Sequence, residues 1–264
     1  MEKIREIIQK VKCFLLDLDG TVYLEGKLIG DMKNTLRKIR ESGRKIIYLT
    51  NNSSRSNRGY VQKLKKAEVF EEGDEVYTSG NSMEDYLNTY HKGENVYLVG
   101  TEELKEEFRE AGIKLAEDKV DVVVLSYDTE LKYEKLVKLV THLHRGAKYV
   151  CTHGDINCPA EEVYLPDIGS FIALVEKSTG KTPEVNCGKP YTEMGDAIKR
   201  KTGLKGEEIM MCGDRLYTDI AFGGVNGIKT MLVLSGETSI EDYKVSETKA
   251  DIVLESLNEV IKYL

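Results

Sequence analysis

Two aspartates one residue apart, Asp17 and Asp19 in CFLLDLDGT, end an apolar run and are followed at once by Gly20. On an extended segment residues two apart project to the same side, so the carboxylates repel and one pKa rises unless a cation intervenes. Three other apolar runs stop in a similar way. IIYLT ends in Thr50 and leads into Asn51, Asn52 and Ser53; VNCGKP presents Lys189; IMMCGD ends in Gly213 and Asp214, with Asp219 five residues on. Acids, hydroxyls, amides and a lysine form an inventory suited to a magnesium ion and a phosphate. Mg²⁺ takes oxygen ligands at about 2.0–2.1 Å, usually one or two carboxylates plus waters and substrate phosphate, so Asp17, Asp214 and a backbone carbonyl would suffice. With the cation offsetting its charge, one aspartate can attack phosphorus to give an aspartyl-phosphate. The second can protonate the leaving alcohol and later deprotonate the attacking water. Gly20 permits a tight turn and close backbone approach to the phosphate.

Such chemistry requires the four runs to end on one edge. Short apolar runs rich in Val, Ile and Tyr recur along the chain, among them CFLLDL, KIIYLT, NVYLVG, VDVVVLS, AKYVCT, EIMMCGD, KTMLVLSG and ADIVLE. Several are apolar almost throughout, as strands buried on both faces must be. Between them lie helical spacings. DMKNTLRKIRESG puts Met32, Leu36 and Ile39 on one face and stops at Gly43, and LKYEKLVKLVTHLHRG repeats Leu131, Leu136, Leu139, Val140 and Leu143 before Gly146. Strand and helix therefore alternate, which predicts an α/β fold with a doubly wound, mostly parallel sheet. In such sheets ligands bind outside the carboxyl ends of the strands, where the four clusters fall. Turn-rich stretches at SGNS around Gly80 and from Thr179 to Gly188 bracket a βα series. The expected organisation is a core of residues 1–79 and 187–264 with an inserted α/β domain over 80–186.

Composition narrows the function. Of 264 residues 31% are charged, the signs alternate and the net charge is −7, a balance that argues against non-specific nucleic-acid binding. No apolar run approaches the ~20 residues that span a bilayer, and Glu2 and Glu6 interrupt the N-terminal stretch where a signal peptide would be apolar. Five cysteines without CxxC spacing read as reduced thiols of a cytoplasmic protein. A calcium loop opening at Asp17 would need Gly and Glu where Val22 and Leu28 stand.

Asp17-Leu18-Asp19-Gly20-Thr21 resembles the DxDGT signature of the haloacid dehalogenase superfamily of phosphatases, and the other clusters fall where that family's remaining motifs belong. The resemblance implies Asp17 as nucleophile and Asp19 as general acid/base, with the Asp19 backbone carbonyl on Mg²⁺. It further implies Thr50 as a phosphate-binding hydroxyl, Lys189 as the neutralising amine, Asp214 as a metal ligand, and Gly213 and Asp219 as supporting positions. LTNNSSRS, LPDIGSFIALVEKSTGKTPE, CGKPY and GDRLYTDI are similar to the subfamily with a large α/β cap, which includes nitrophenyl phosphatases and NagD-like nucleotide phosphatases. The 80–186 insert would be that cap, closing over the core to exclude water.

THGDINCPAEE, from Thr152, is then the substrate-facing loop, with His153 and Asp155 as binding candidates; family members carry Asn-Pro-Asp where this chain has His153-Gly154-Asp155. Asn51, Asn52 and Ser53 are expected to contact phosphate or substrate and also to cap a helix beginning near Ser54. The expected partner is a small phosphorylated metabolite, with no nucleic acid or membrane and with a second copy of the chain left open. The alternative is a phosphoryl-accepting signalling or ligand-binding protein without turnover.

Overall fold

The computed structural model describes residues 2–159 and 163–264. The chain divides into two compact units, one of Met1–Thr50, Arg58–Tyr77 and Lys189–Leu264, the other of Asn51–Asn57 and Thr78–Gly188.

The first unit is built on a six-stranded sheet in the order Ile252–Leu254, Lys229–Val233, Ile209–Gly213, Cys13–Leu16, Lys45–Thr50, Glu75–Thr78. Adjacent strands from Ile252–Leu254 through to Lys45–Thr50 all pair parallel. Successive residues of each strand go to opposite faces, and both faces are covered. Phe14, Leu16, Ile46 and Tyr48 pack against Met32, Leu36 and Ile39 of the helix Met32–Glu41. Cys13, Leu15, Ile47 and Leu49 pack on the other side against Met194 and Ile198 of the helix Thr192–Thr202. This two-sided burial is why the runs are apolar without alternation; each buried aliphatic side chain contributes about 1.5–3 kcal/mol. The fold is a doubly wound, Rossmann-like α/β sheet. Its order reverses between Cys13–Leu16 and Ile209–Gly213, so Asp17 and Asp214 follow the two strands that flank the topological switch point, where such sheets bind ligands.

The second unit repeats the principle on a smaller scale. Val185–Asn186, Lys148–Cys151, Val122–Leu125 and Val96–Val99 form a four-stranded parallel sheet. One face packs on Leu87, Leu104 and Phe108, the other on Leu139, Leu143, Ile168 and Val175.

Two local readings of the sequence are corrected. SGNS is no turn: it opens the helix Ser79–Tyr90, because the Thr78 side chain accepts from the Asn81 backbone N–H in a capping box. The helix placed near Ser54 begins at Asn57, and residues 51–57 group with the second unit rather than with the core. Polar side chains hold this segment there. The Ser53 hydroxyl lies 2.9 Å from Thr152 Oγ1 and accepts from the Tyr127 N–H at 3.0 Å. Glu103 accepts from the Ser56 N–H at 3.0 Å, and Glu107 from the Asn57 N–H at 2.9 Å. Among the described residues no disulfide forms, and no helix is long and apolar enough to cross a membrane.

Candidate active site

Asp17 stands one residue beyond Cys13–Leu16, its N–H bonded to the Cys212 carbonyl at 2.9 Å, so the sheet itself fixes its backbone. Lys189 Nζ donates to Asp17 Oδ1 at 2.6 Å, to Asp219 Oδ1 at 2.7 Å and, more weakly, to the Leu49 carbonyl at 3.4 Å. An ammonium has three donors and no acceptor, and here every donor has an acceptor in reach. Lys189 is only 3% exposed. Burial alone would lower its pKa, but Asp17 and Asp219 more than offset that and raise it.

Asp214 follows Ile209–Gly213 and is almost fully buried. Its Oδ2 accepts from the Glu237 N–H at 2.7 Å, whereas Oδ1 is buried with no hydrogen-bond partner. Asp219, in the wide helical turn Leu216–Ile220, spends Oδ1 on Lys189 and Oδ2 on the Arg215 N–H at 3.1 Å. One carboxylate oxygen from each of Asp17, Asp214 and Asp219 lies within 4.8 Å of the others. One ammonium cannot neutralise three carboxylates. Burial first, then neighbouring acids, therefore lift Asp17 well above the usual carboxylate range and Asp214 to about 7. An orphaned buried carboxylate oxygen costs on the order of several kcal/mol. Hard oxygen donors, surplus negative charge and an unpartnered Asp214 Oδ1 together fit a divalent cation.

The turn after Asp17 is equally constrained. Gly20 has φ +85°, and a Cβ there would lie 2.2 Å from Asp214 Oδ2. Gly236 approaches the same oxygen from another loop, its Cβ position 2.0 Å away. At Gly213 a Cβ would sit 2.2 Å from Asp219 Cγ. Ser235 Oγ donates to the Gly20 carbonyl at 2.7 Å, joining the two loops. Asp19 is not among the three clustered acids; burial raises its pKa, and the charges of Lys63 and Arg215 oppose the rise. Thr50 ends its strand and is 7% exposed.

The structure thus gathers Asp17, Lys189, Asp214 and Asp219 in the first unit, with Asp19, Gly20, Thr50 and Gly213 in the segments that carry them. Asn51, Asn52, Ser53, His153 and Asp155 belong to the second unit. There Asn51 Nδ2 donates to Asp155 Oδ1 at 3.1 Å, and Asn52 Oδ1 accepts from the Ser54 N–H at 2.9 Å. His153 departs from the expectation of a substrate-facing loop residue. It is fully buried, with Nε2 3.1 Å from Asp167 Oδ1 and Nδ1 3.2 Å from Thr152 Oγ1. Both ring nitrogens serve the fold, as does the fully buried Ser53 hydroxyl.

Sequence reasoning missed the Ser235–Gly236–Glu237 loop that grips Asp214 and Gly20, although it follows the apolar run KTMLV and so carried the same signal as the others. It also missed Tyr23, Lys63 and Arg215.

Family profiles and known proteins match the chain over most of its length. The profile of haloacid dehalogenase-like hydrolases matches residues 14–114, and a HAD-hydrolase-like profile matches 186–260. An acid sugar phosphatase of Staphylococcus epidermidis is 32% identical over 96% of this chain and 98% of its own. The 5'-nucleotidase YutF of Bacillus subtilis is 31% identical over the same shares. The crystal structure of a 4-nitrophenylphosphatase from Thermotoga maritima superposes with a TM-score of 0.93 at 39% identity, covering 97% of this chain and 98% of that one. Sheet, site and sequence define a hydrolase of phosphate esters, a phosphatase. The chain belongs to the haloacid dehalogenase-like hydrolase family.

Proposed function

We propose that the protein is a Mg²⁺-dependent hydrolase of small phosphomonoesters, acting through an aspartyl-phosphate on Asp17. The observation that carries this is the buried cluster of Asp17, Asp214 and Asp219 around one lysine, with Asp214 Oδ1 unpartnered. Asp17, Asp214 and the Asp19 carbonyl would hold the ion, which supplies charge neutralisation of the phosphoryl oxygens. Lys189 holds Asp17 Oδ1 and fixes the carboxylate's rotation. A bond forms from an Asp17 oxygen to phosphorus as the ester P–O bond breaks, with Asp19 giving its proton to the leaving alcohol. Water then attacks the same phosphorus, its proton passes to Asp19, and the Asp17–phosphorus bond breaks to release phosphate. Thr50 is the hydroxyl that binds the phosphoryl group in this scheme. In the second unit Asn51, Asn52 and Asp155 are proposed as residues that select the substrate.

The test is release of inorganic phosphate from 4-nitrophenyl phosphate over many turnovers with Mg²⁺ and its loss on chelation. A phosphoryl-accepting protein would release one 4-nitrophenol per chain, retain the phosphoryl group and stop. D19N is expected to lower kcat by about 10²-fold or more while Mg²⁺ affinity, measured by calorimetry, stays within a few-fold. Unchanged turnover in D19N would remove the acid/base role.

A stability prediction follows from Asp214. Its pKa is raised on folding from 3.8 to about 7, so the folded state is favoured below the unfolded pKa and loses that favour as pH rises toward 7. In chelated protein, thermal melts from pH 4 to pH 8 should show wild-type Tm falling more steeply than D214N. Adding Mg²⁺ at pH 7 should raise the wild-type Tm and leave D214N nearly unmoved. Parallel melting curves for the two proteins would contradict the assignment.

A further inference from the structure

We infer that His153 is a positioning residue: held as a neutral imidazole with its proton on Nε2, it fixes the Asn51–Asp155 pair and so the preference for leaving groups that carry hydroxyls. The inference rests on the reading of Asn51 and Asp155 as substrate-selecting residues given above. The tautomer follows from hydrogen bonds that begin away from the ring. Ser53 Oγ accepts from the Tyr127 N–H at 3.0 Å, and a backbone N–H can only donate. Among the described residues the Ser53 proton then has one acceptor in reach, Thr152 Oγ1 at 2.9 Å. The Thr152 proton is in turn directed to His153 Nδ1 at 3.2 Å. Ser53, Thr152 and His153 are all fully buried, so solvent offers no other partner. Nδ1 is therefore an acceptor, and the ring proton sits on Nε2, 3.1 Å from Asp167 Oδ1. Ser79 Oγ, 3.4 Å from Nδ1, spends its own proton on the Asn51 carbonyl. A second proton on Nδ1 would leave a buried hydroxyl proton without an acceptor, which is costly.

The same contacts hold the pair, and all of these residues belong to the second unit. Asp167 Oδ1 also accepts from the Ile168 N–H at 2.6 Å, at the start of the helix Ile168–Thr179. From that helix start the Gly169 N–H donates to the Asp155 carbonyl at 2.8 Å, and the Asp167 N–H to the Ile156 carbonyl at 2.9 Å. The loop from Thr152 to Ile156 is thus tied down on both sides of Asp155, by side chains before it and by backbone after it. Asn51 is held in a similar way: Ser79 takes its carbonyl, and Ser53, two residues on, belongs to the line of hydroxyls that ends on the ring. The two side chains then meet, Asn51 Nδ2 donating to Asp155 Oδ1 at 3.1 Å. A carboxylate has two oxygens, and one hydrogen bond on Oδ1 leaves acceptor capacity for a substrate hydroxyl. A nitrophenyl leaving group has no hydroxyl to offer.

The first measurement is nitrogen NMR of protein labelled with ¹⁵N in its four histidines. At pH 7 the His153 ring, assigned by its loss in H153F, should show the neutral Nε2–H tautomer; the Nδ1–H form or an imidazolium would overturn the inference. The second compares kcat/KM for glycerol phosphate, whose leaving group carries hydroxyls, with that for 4-nitrophenyl phosphate. T152V, which keeps the shape and removes the hydroxyl on Nδ1, and H153F should each lose about tenfold or more on glycerol phosphate, mainly as a rise in KM. That lies within the roughly 10²-fold that misplaced positioning groups can cost, and 4-nitrophenyl phosphate should lose only about twofold. T152S should stay within about twofold of wild type on both esters. H153F/T152V should be no worse than H153F, because Thr152 acts through the ring. Equal losses on both esters, or additive losses in the double variant, would also overturn the inference. D155A separates the two layers: if it too treats both esters alike, the substrate-selecting reading has failed. If D155A discriminates between them and T152V and H153F do not, the positioning role alone has failed.

Discussion

Replacing Asp17 with asparagine should lower turnover by about 10⁴-fold or more, in the range seen when a covalent nucleophile is removed. The substitution keeps shape and hydrogen-bonding reach but takes away the charge and the nucleophilic oxygen. Lys189 retains Asp219 and the Leu49 carbonyl as acceptors, so the buried ammonium is not stranded. One of three crowded carboxylates disappears, and the repulsion that lifts the Asp214 pKa is eased or unchanged. Folding should therefore survive. The direct readout is mass spectrometry of acid-quenched reactions: wild-type protein should yield a phosphoryl adduct on the peptide bearing Asp17, and D17N none. Turnover in D17N within about tenfold of wild type would disprove the nucleophile assignment.

Lys189→Met is expected to damage both stability and activity. The side chain is of similar length, but Asp17 and Asp219 lose the charge that sits 2.6 and 2.7 Å from them. Breaking a buried ion pair from one side costs about 3–5 kcal/mol because the remaining charge is left uncompensated. Urea unfolding should show a loss of that size. Mg²⁺ should restore part of it in K189M, since a cation is the other positive charge this cluster can accept. Activity should fall by about 10³-fold or more even with Mg²⁺ present, because Asp17 is no longer held in rotation. K189M as stable as wild type in the absence of metal would mean that the pairing contributes nothing to the fold.

What was legible in the sequence follows from periodicity. Asp17, Thr50, Lys189 and Asp214 each come just after an apolar run, and a parallel sheet brings such positions to one edge, so their chemistry could be inferred without coordinates. Tyr23, in the short strand Tyr23–Leu24, and Lys63, on the helix Asn57–Lys66, are joined by a hydrogen bond that no spacing rule connects in the sequence. Only the folded segment from Leu18 shows that the Tyr23 backbone bonds to Leu18 and Gly20 and bridges to Asp19. His153 was misread because a Thr-His-Gly-Asp string looks like an exposed loop, whereas Asp167, the cap of the helix Ile168–Thr179, lies against its ring and draws it inside. Residues 51–57 were placed with the strand they follow, although their hydroxyls and amides are satisfied by Thr152, Tyr127, Glu103 and Glu107. Side-chain hydrogen bonds between distant segments leave no pattern in a single chain.

The glycines packed around Asp214 bear on how this protein can drift over generations. Gly20 and Gly236 come from opposite ends of the chain yet stand over one carboxylate oxygen, each where a methyl group would overlap it. Neither has a side chain with which to do chemistry, but in a saturation-mutagenesis library both should be as intolerant as the acids they surround. A change at either cannot be rescued by altering the other, because each clash is with the aspartate itself and not between the loops. Lineages that keep Asp214 are thereby held to two bare backbone positions, and the invariant set of such a phosphatase is wider than its list of reactive groups.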